Sequence, residues 1–130
     1  MHQAYSAAWV RLVDATLTGP QFAVLTAVRT YPGAEQGSLA RAVALDRSTM
    51  ASIVRRLEDR HLITREIPAE DGRKRLLFLT DTGAATLRAA GRRVDELDAH
   101  LMRGLNIDRR RTLVRELTAL SEHWERLATE

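Results

Sequence analysis

Asp46-Arg47-Ser48-Thr49-Met50-Ala51-Ser52-Ile53-Val54-Arg55-Arg56-Leu57 is the segment around which the rest of the chain is organised. Met50, Ile53, Val54 and Leu57 recur at i, i+3, i+4 and i+7, the spacing of one buried helical stripe. Asp46 is placed as an N-cap, where its carboxylate can accept from free first-turn amides and suits the positive helix end. At about 100° per residue, Ser48, Ser52 and Arg55 project from the opposite face, with Thr49 and Arg56 on its flank. Any amphipathic surface helix is polar outside, so the neighbouring segments must decide what this one is for.

Upstream, Ser38-Leu39-Ala40-Arg41-Ala42-Val43-Ala44-Leu45 reads as a short helix with Leu39, Ala42 and Val43 inward. A tight connection near Leu45-Asp46 makes the pair a helix-turn-helix. Downstream, Leu62–Ile67 and Lys74–Leu79 read as two strands. Between them Pro68-Ala69-Glu70-Asp71-Gly72-Arg73 is a turn signal. A recognition helix followed by a hairpin with a basic tip, Arg73-Lys74-Arg75, is a winged helix.

Further out, residues 2–16 form an amphipathic pattern with Tyr5, Ala8, Leu12 and Ala15 on one face and Trp9 and Val13 beside it. Thr18-Gly19-Pro20-Gln21 has the form of a capping box, with Pro20 tolerated in the first turn. The helix it opens carries Phe22, Leu25, Val28 and Arg29, breaks at Tyr31-Pro32-Gly33, and leaves a short linker to Gln36. After the wing, Thr80 caps a helix with apolar positions Leu87, Ala90, Val94, Leu97 and Leu101. Gly104-Leu105-Asn106 interrupts it, and a last helix from about Asp108 carries Leu113, Leu117, Leu120, Trp124 and Leu127. The two seams could pack on each other within one chain. A chain this short with long terminal seams exposes too much apolar surface alone, which favours a homodimer. Tyr5, Leu12, Leu101, Leu113, Leu117, Leu120 and Trp124 are the residues expected in its interface.

The expected fold class is therefore mainly α with a small β-hairpin. A winged helix-turn-helix core of about residues 18–80 would be flanked by dimerisation helices in 1–16 and 81–130, all in one domain. The chain of 130 residues, 45% hydrophobic, suits one modest globular core. With no Cys there is no disulfide framework and no thiolate metal site. No run of eighteen apolar residues and no basic-then-apolar leader occurs, so the expectation is a cytoplasmic protein without a membrane span.

The formal net charge is +3, and its distribution is uneven. Residues 36–80 hold nine basic side chains against six acidic, whereas the flanking segments are balanced. The excess therefore sits in the winged-helix region, where it suits a polyanionic partner. Nineteen of the twenty cations are Arg, whose fork matches phosphate and guanine. His2, His61, His100 and His123 form no helical ligand pair, no phosphate-cradling Gly-rich loop is present, and Ser48 and Ser52 have no His near them in sequence. No catalytic residue, metal site or cofactor is expected. A winged helix used only for protein contact stays open as an alternative to DNA binding. The three adjacent cations Arg73-Lys74-Arg75 speak against it.

An ordered set of motifs resembles the MarR (multiple antibiotic resistance regulator) family of bacterial transcription factors. It comprises Leu17-Thr18-x-x-Gln21-Phe22-x-Val24-Leu25, Leu45-Asp46-Arg47-Ser48-Thr49, Leu57-Glu58-Asp59-Arg60-His61-Leu62-Ile63-x-Arg65, Asp71-x-Arg73 and Leu79-Thr80-x-x-Gly83. Together they span about Leu17 to Leu87. His61 departs from the pattern, since the family usually has Gly there, and the position is expected to need φ > 0.

The resemblance implies double-stranded DNA as partner and dimerisation through the first and last helices. The helix from Arg47 to Arg60 would enter a major groove, with Ser48, Thr49, Ser52, Arg55 and Arg56 nearest bases and phosphates, and Ser38 and Arg47 beside them. Arg73 would reach the minor groove, steadied by Asp71, with Lys74 and Arg75 adding charge. Two-fold symmetry implies a near-palindromic operator with half-sites about 34 Å apart. Family members often bind small aromatic acids between the dimer helices and the winged domain. Here His2, Gln3, Ser6, Trp9 and Arg11 are the candidate effector residues, and His2-Gln3 resembles the start of this helix in the branch that controls nicotinate breakdown.

Overall fold

The computed structural model describes residues 2–129, except the side chains at 2, 125, 128 and 129. In order the elements are α1 (His2–Leu12), α2 (Gly19–Thr30), α3 (Gln36–Ala42), α4 (Arg47–Asp59), β1 (Ile63–Glu66), β2 (Leu76–Leu79), α5 (Asp81–Leu101) and α6 (Ile107–Thr129). The chain divides into two compact units, one reaching to Leu97 and one from Asp98 onward. The mainly-α, single-hairpin winged-helix class expected from the sequence is the one observed.

In the first unit α2, α3, α4 and the hairpin close around Leu17, Leu25, Leu39, Met50, Leu57, Ile63, Leu77 and Leu87, all essentially inaccessible. The stripe read from Met50, Ile53, Val54 and Leu57 is the buried face of α4. In α3 the inward set differs at one position: Leu39 and Ala40 are buried, Val43 at the helix end packs half-buried against the core, and Ala42 is exposed. Ala42 lies about 160° round the helix from the buried Ala40 and so falls on the outer side.

Helix starts follow side-chain chemistry. The Gln21 amide donates to Thr18 Oγ1 at 3.2 Å and the Thr18 amide donates to Gln21 Oε1 at 3.0 Å, completing the capping box at α2. Asp46 caps α4 through the Thr49 amide at 2.9 Å. Thr80 caps α5 through the Gly83 amide at 2.9 Å, and its hydroxyl donates to the His61 carbonyl at 2.6 Å.

Two helix ends share one construction. After α3 the Leu45 amide donates to Ala40 and the Ala44 amide to Arg41; after α4 the Leu62 amide donates to Leu57 and the His61 amide to Glu58. These are Schellman motifs, which need a left-handed residue just past the helix. Ala44 (φ 53°) and His61 (φ 55°) fill that role, where glycine would be unstrained. His61 thus takes the positive φ expected of it.

α1 is shorter than the pattern over 2–16 suggested. Asp14 Oδ1 gathers the amides of Thr16 (2.6 Å) and Leu17 (3.1 Å), and this Asx turn diverts the chain before another helical turn forms. Trp9 and Val13 face the core, while Tyr5 and Leu12 stay partly exposed.

The strands are shorter than expected, pairing Ile63 with Leu79 through Glu66 with Leu76. The hairpin gains an edge from the linker before α3. Glu35 bridges Leu76, the Gly33 amide donates to Leu77, and the Gln36 amide to Arg75. In the second unit α6 exposes Leu113, Val114, Leu117, Leu120, Trp124 and Leu127 along its length.

Candidate nucleic-acid interface

α4 presents Arg47, Ser48, Thr49, Ser52, Arg55 and Arg56 on its exposed side, opposite the buried stripe. The wing joins this surface at a cleft of about 340 Å³. It is lined by Gln36, Gly37 and Ala40 of α3, Arg47 and Met50 of α4, and Asp71, Arg73, Lys74 and Arg75 of the wing, with Glu35 at its edge. Gln36 Oε1 is buried without a hydrogen-bond partner among the described residues.

The nine cations of residues 36–80 fall into two groups. Five are engaged within the protein. Arg41 donates to Ser38 Oγ at 3.2 Å, Arg60 to Thr16 O at 2.7 Å, and Arg65 to Glu58 at 2.7 Å. Lys74 lies 2.9 Å from the Glu35 carboxylate, and Arg75 donates to the carbonyls of Gly72 and Lys74. The hydrogen bond and the charge of Glu35 hold Lys74 more firmly protonated than a free lysine. The remaining four, Arg47, Arg55, Arg56 and Arg73, make no side-chain hydrogen bond or ion pair among the described residues. Sequence reasoning named all the tip cations together; the structure leaves Arg73 as the one whose guanidinium is uncommitted.

Asp71 has a different local role from the one the resemblance implied. Its Oδ1 accepts from the Arg73 backbone amide at 3.0 Å, an Asx turn two residues long, and the guanidinium is not its partner. The aspartate shapes the wing turn that projects Arg73. Ser38 is exposed near the start of α3 with its hydroxyl oxygen accepting from Arg41.

At the start of α4 the Asp46 carboxylate accepts from three groups. Oδ1 takes the Thr49 amide and the Ser48 hydroxyl (2.7 Å), and Oδ2 takes the Thr49 hydroxyl (2.6 Å). The hydroxyl and amide of Thr49, then the hydroxyl of Ser48, stabilise the anion and lower its pKa far below the usual carboxylate range.

The candidate effector residues are separated by the fold. Ser6 and Trp9 line an apolar cavity of about 350 Å³ beside the corner between α1 and α2, with Tyr5, Val10, Asp14 and Leu17. Trp9 packs edge-on against Phe22 at 5.6 Å between ring centres, and its Nε1 donates to Leu17 O at 2.6 Å. Gln3 is exposed on α1. Arg11 is exposed as well, about 160° round the helix from Trp9, and does not join the cavity. The side chain of His2 lies outside the described residues. Sequence reasoning missed Asp14: burial alone would raise its pKa, but the Thr16 hydroxyl and amide, the Leu17 amide and the Arg60 charge lower it. The Asp14-x-Thr16 spacing of an Asx turn could have revealed it.

Among the described residues no His/Asp/Glu group could hold a metal ion, and no helix is long and apolar enough to cross a membrane.

A family model for the MarR family matches residues 17–74. The transcriptional regulator HosA of Escherichia coli O127:H6 is 38% identical over 99 residues, covering 74% of this chain and 73% of that protein. Among solved structures, the PcaV transcriptional regulator of Streptomyces coelicolor in complex with its natural ligand overlays with a TM-score of 0.87. It is 33% identical, and the match covers 93% of this chain and 86% of that one. The structure of Bordetella bronchiseptica BpsR, whose DNA binding is regulated by 6-hydroxynicotinic acid, overlays with a TM-score of 0.84 at 28% identity, covering 92% of each chain. With the ordered motifs, the winged helix and its arginine-lined face, these likenesses show that the chain belongs to the MarR family of DNA-binding transcriptional regulators and is not an enzyme.

Proposed function

We propose that this regulator acts as a homodimeric repressor that holds a near-palindromic operator and releases it when a small aromatic acid binds. The observation that carries the DNA-binding surface is the set of four uncommitted guanidiniums, Arg47, Arg55, Arg56 and Arg73, on α4 and the wing. Buried or paired arginines have spent their hydrogen-bonding capacity; these four have it available for phosphates and base edges. In this reading α4 occupies the major groove, Ser48, Thr49 and Ser52 lie closest to the bases, and Arg73 enters the minor groove. Ser38, Lys74 and Arg75 border the backbone, and Asp71 fixes the wing turn.

Dimerisation is supported by the exposed apolar residues of both terminal regions, Tyr5 and Leu12 on α1, Leu101 at the end of α5, and Leu113, Leu117, Leu120 and Trp124 on α6. Such a series of leucines on a solvated helix loses its exposure on association, which drives pairing. The effector reading is supported by the apolar cavity against Trp9 and by the named ligand of BpsR. An aromatic ring would lie on the Trp9–Leu17 wall, with the Ser6 hydroxyl among the donors at its rim and Gln3 on the same helix. A ligand that prefers a conformation with the two recognition helices out of register shifts the population away from the DNA-bound state.

The test is a footprint on DNA upstream of the protein's own coding region, followed by titration with nicotinate, 6-hydroxynicotinate and salicylate. A two-fold-symmetric footprint is expected. One of the acids should raise the melting temperature and release DNA over the same concentration range, because release follows only from differential affinity. Lack of any footprint rejects the DNA reading, and a footprint insensitive to all the acids rejects the effector.

A further inference from the structure

We propose that Asp46 sets the chemical sense in which the recognition helix reads bases: it holds the Ser48 and Thr49 hydroxyls as acceptors, so that they select amino-bearing bases, adenine or cytosine. The proposal rests on the reading that this face of α4 meets the major groove.

A hydroxyl has one hydrogen to donate and two lone pairs to offer. The Ser48 hydroxyl donates its hydrogen to Asp46 Oδ1 at 2.7 Å, and the Thr49 hydroxyl donates to Oδ2 at 2.6 Å. Both side chains are exposed. Their remaining capacity toward an incoming molecule is therefore to accept. Withdrawing either hydrogen would exchange a short bond to an anion for a bond to a neutral group, and charge-assisted bonds are about twice as strong as neutral ones.

In the major groove the donors are the adenine N6 and cytosine N4 amino groups; guanine N7 and O6, thymine O4 and adenine N7 accept. Phosphate oxygens also only accept. The two hydroxyls consequently match amino groups and mismatch guanine, thymine and phosphate alike. The guanidiniums of Arg47, Arg55 and Arg56 supply the opposite complement and serve phosphate and guanine. One short helix surface thus carries acceptors and donors in separate places, with Asp46 determining which hydroxyls belong to the acceptor set.

A single substitution can invert part of this arrangement without removing the cap. Asn is as good an N-cap as Asp. In Asp46→Asn the amide oxygen can keep the Thr49 amide and the Ser48 hydroxyl, while the new NH₂ group donates to the Thr49 hydroxyl. That turns the Thr49 hydrogen outward and leaves Ser48 as it was.

The experiment is operator selection from a randomised duplex library with the full chain, comparing the native protein, Asp46→Asn, Ser48→Ala and Thr49→Val. Thr49→Val removes the hydroxyl at nearly constant shape and marks the base position that Thr49 reads. At that position the native protein should prefer adenine or cytosine by roughly three- to tenfold. Asp46→Asn should admit thymine or guanine there and disfavour cytosine, which has no major-groove acceptor, and leave the position marked by Ser48→Ala unchanged. A mere loss of helix stability would lower affinity for all sequences equally and would not change a preference. Native selection of thymine or guanine at the marked position overturns the proposal, as does an Asp46→Asn profile identical to the native one. If neither Thr49→Val nor Ser48→Ala alters any position while the footprint persists, the hydroxyls do not meet bases and the proposal fails, with DNA binding itself intact.

Discussion

Arg60 and Thr16 are 44 residues apart in sequence, and the Arg60 guanidinium donates to the Thr16 carbonyl at 2.7 Å and to its hydroxyl at 3.3 Å. Thr16 is itself held by Asp14, through its amide and its hydroxyl. The end of the recognition helix is thereby fastened to the corner that also lines the Trp9 cavity. Arg93 of α5 grips the same corner by donating to Val13 O at 2.9 Å.

Removing this fastening should affect regulation more than folding. Arg60→Gln is expected to lower unfolding free energy by about 1 kcal/mol, the worth of a partly exposed charge-assisted bond. If the cavity accepts the effector, the same variant should still show the thermal shift but need more ligand to release DNA. Parallel melting and DNA-release titrations check this, and an unchanged ratio between the two midpoints would show that the corner does not communicate with α4.

Gly83 sits where α5 starts against the turn before β1. A Cβ built there would collide with the Leu62 carbonyl, a backbone atom that cannot swing aside. Gly83→Ala should therefore destabilise by about 2–3 kcal/mol, the usual cost of forcing atoms into a closed contact. Urea unfolding monitored by circular dichroism measures it; a loss below ~0.5 kcal/mol would mean that α5 can shift freely.

His61 and Ala44 hold left-handed conformations that cost an L-residue about 1 kcal/mol. His61→Gly should raise stability by roughly 0.5–1 kcal/mol after the added freedom of the unfolded glycine is deducted. Ala44→Gly should behave alike, in the turn of the helix-turn-helix. Denaturation midpoints with unchanged slopes would verify both, and a loss at either site would point to packing of the side chain that outweighs backbone relief.

These two positions also show what was legible in the sequence. His61 could be read as left-handed because it occupies the place of a glycine in a recognisable motif. Ala44 could not, since alanine is the best helix former and nothing local marks it as the end of α3. The α4 stripe and the Thr18–Gln21 box were legible because their partners lie within one or two helical turns. The Arg60–Thr16 tie was not, because no periodicity links residues in different elements. The third edge of the wing was hidden for another reason. Gly33-Ala34-Glu35-Gln36 has no alternation or β-branched residue, and only its long-range pairing, the Glu35–Leu76 bridge with the backbone hydrogen bonds of Gly33, Ala34 and Gln36 to the hairpin, joins it to the wing. Among the wing cations, composition revealed the charge, and side-chain geometry alone revealed which guanidinium is free.

The wing gives a graded prediction. Arg73→Ala should weaken operator binding by about 1–3 kcal/mol and, if the contact is to phosphate, lower the salt slope by about one. Lys74→Ala should do less to DNA affinity, because the Lys74 ammonium already faces Glu35 at 2.9 Å. Fluorescence anisotropy across a salt series separates the two. Equal losses for both variants would show that the Glu35 pair opens on DNA.

Leu117 and Leu120 are 55% and 44% exposed in the single chain, on a helix whose described apolar side chains all remain accessible. Nothing in the fold of one chain then opposes their replacement by charge, so Leu117→Asp with Leu120→Asp should leave the first unit folded. A dimer interface would respond very differently, since each buried leucine contributes about 1.5–3 kcal/mol and an unpaired carboxylate there is costly. Sedimentation should therefore show monomers with native helix content. Affinity for the full operator should fall toward that for a half-site, because the gain from two linked recognition helices is lost. A variant that remains dimeric and binds as before would place the interface elsewhere than on α6.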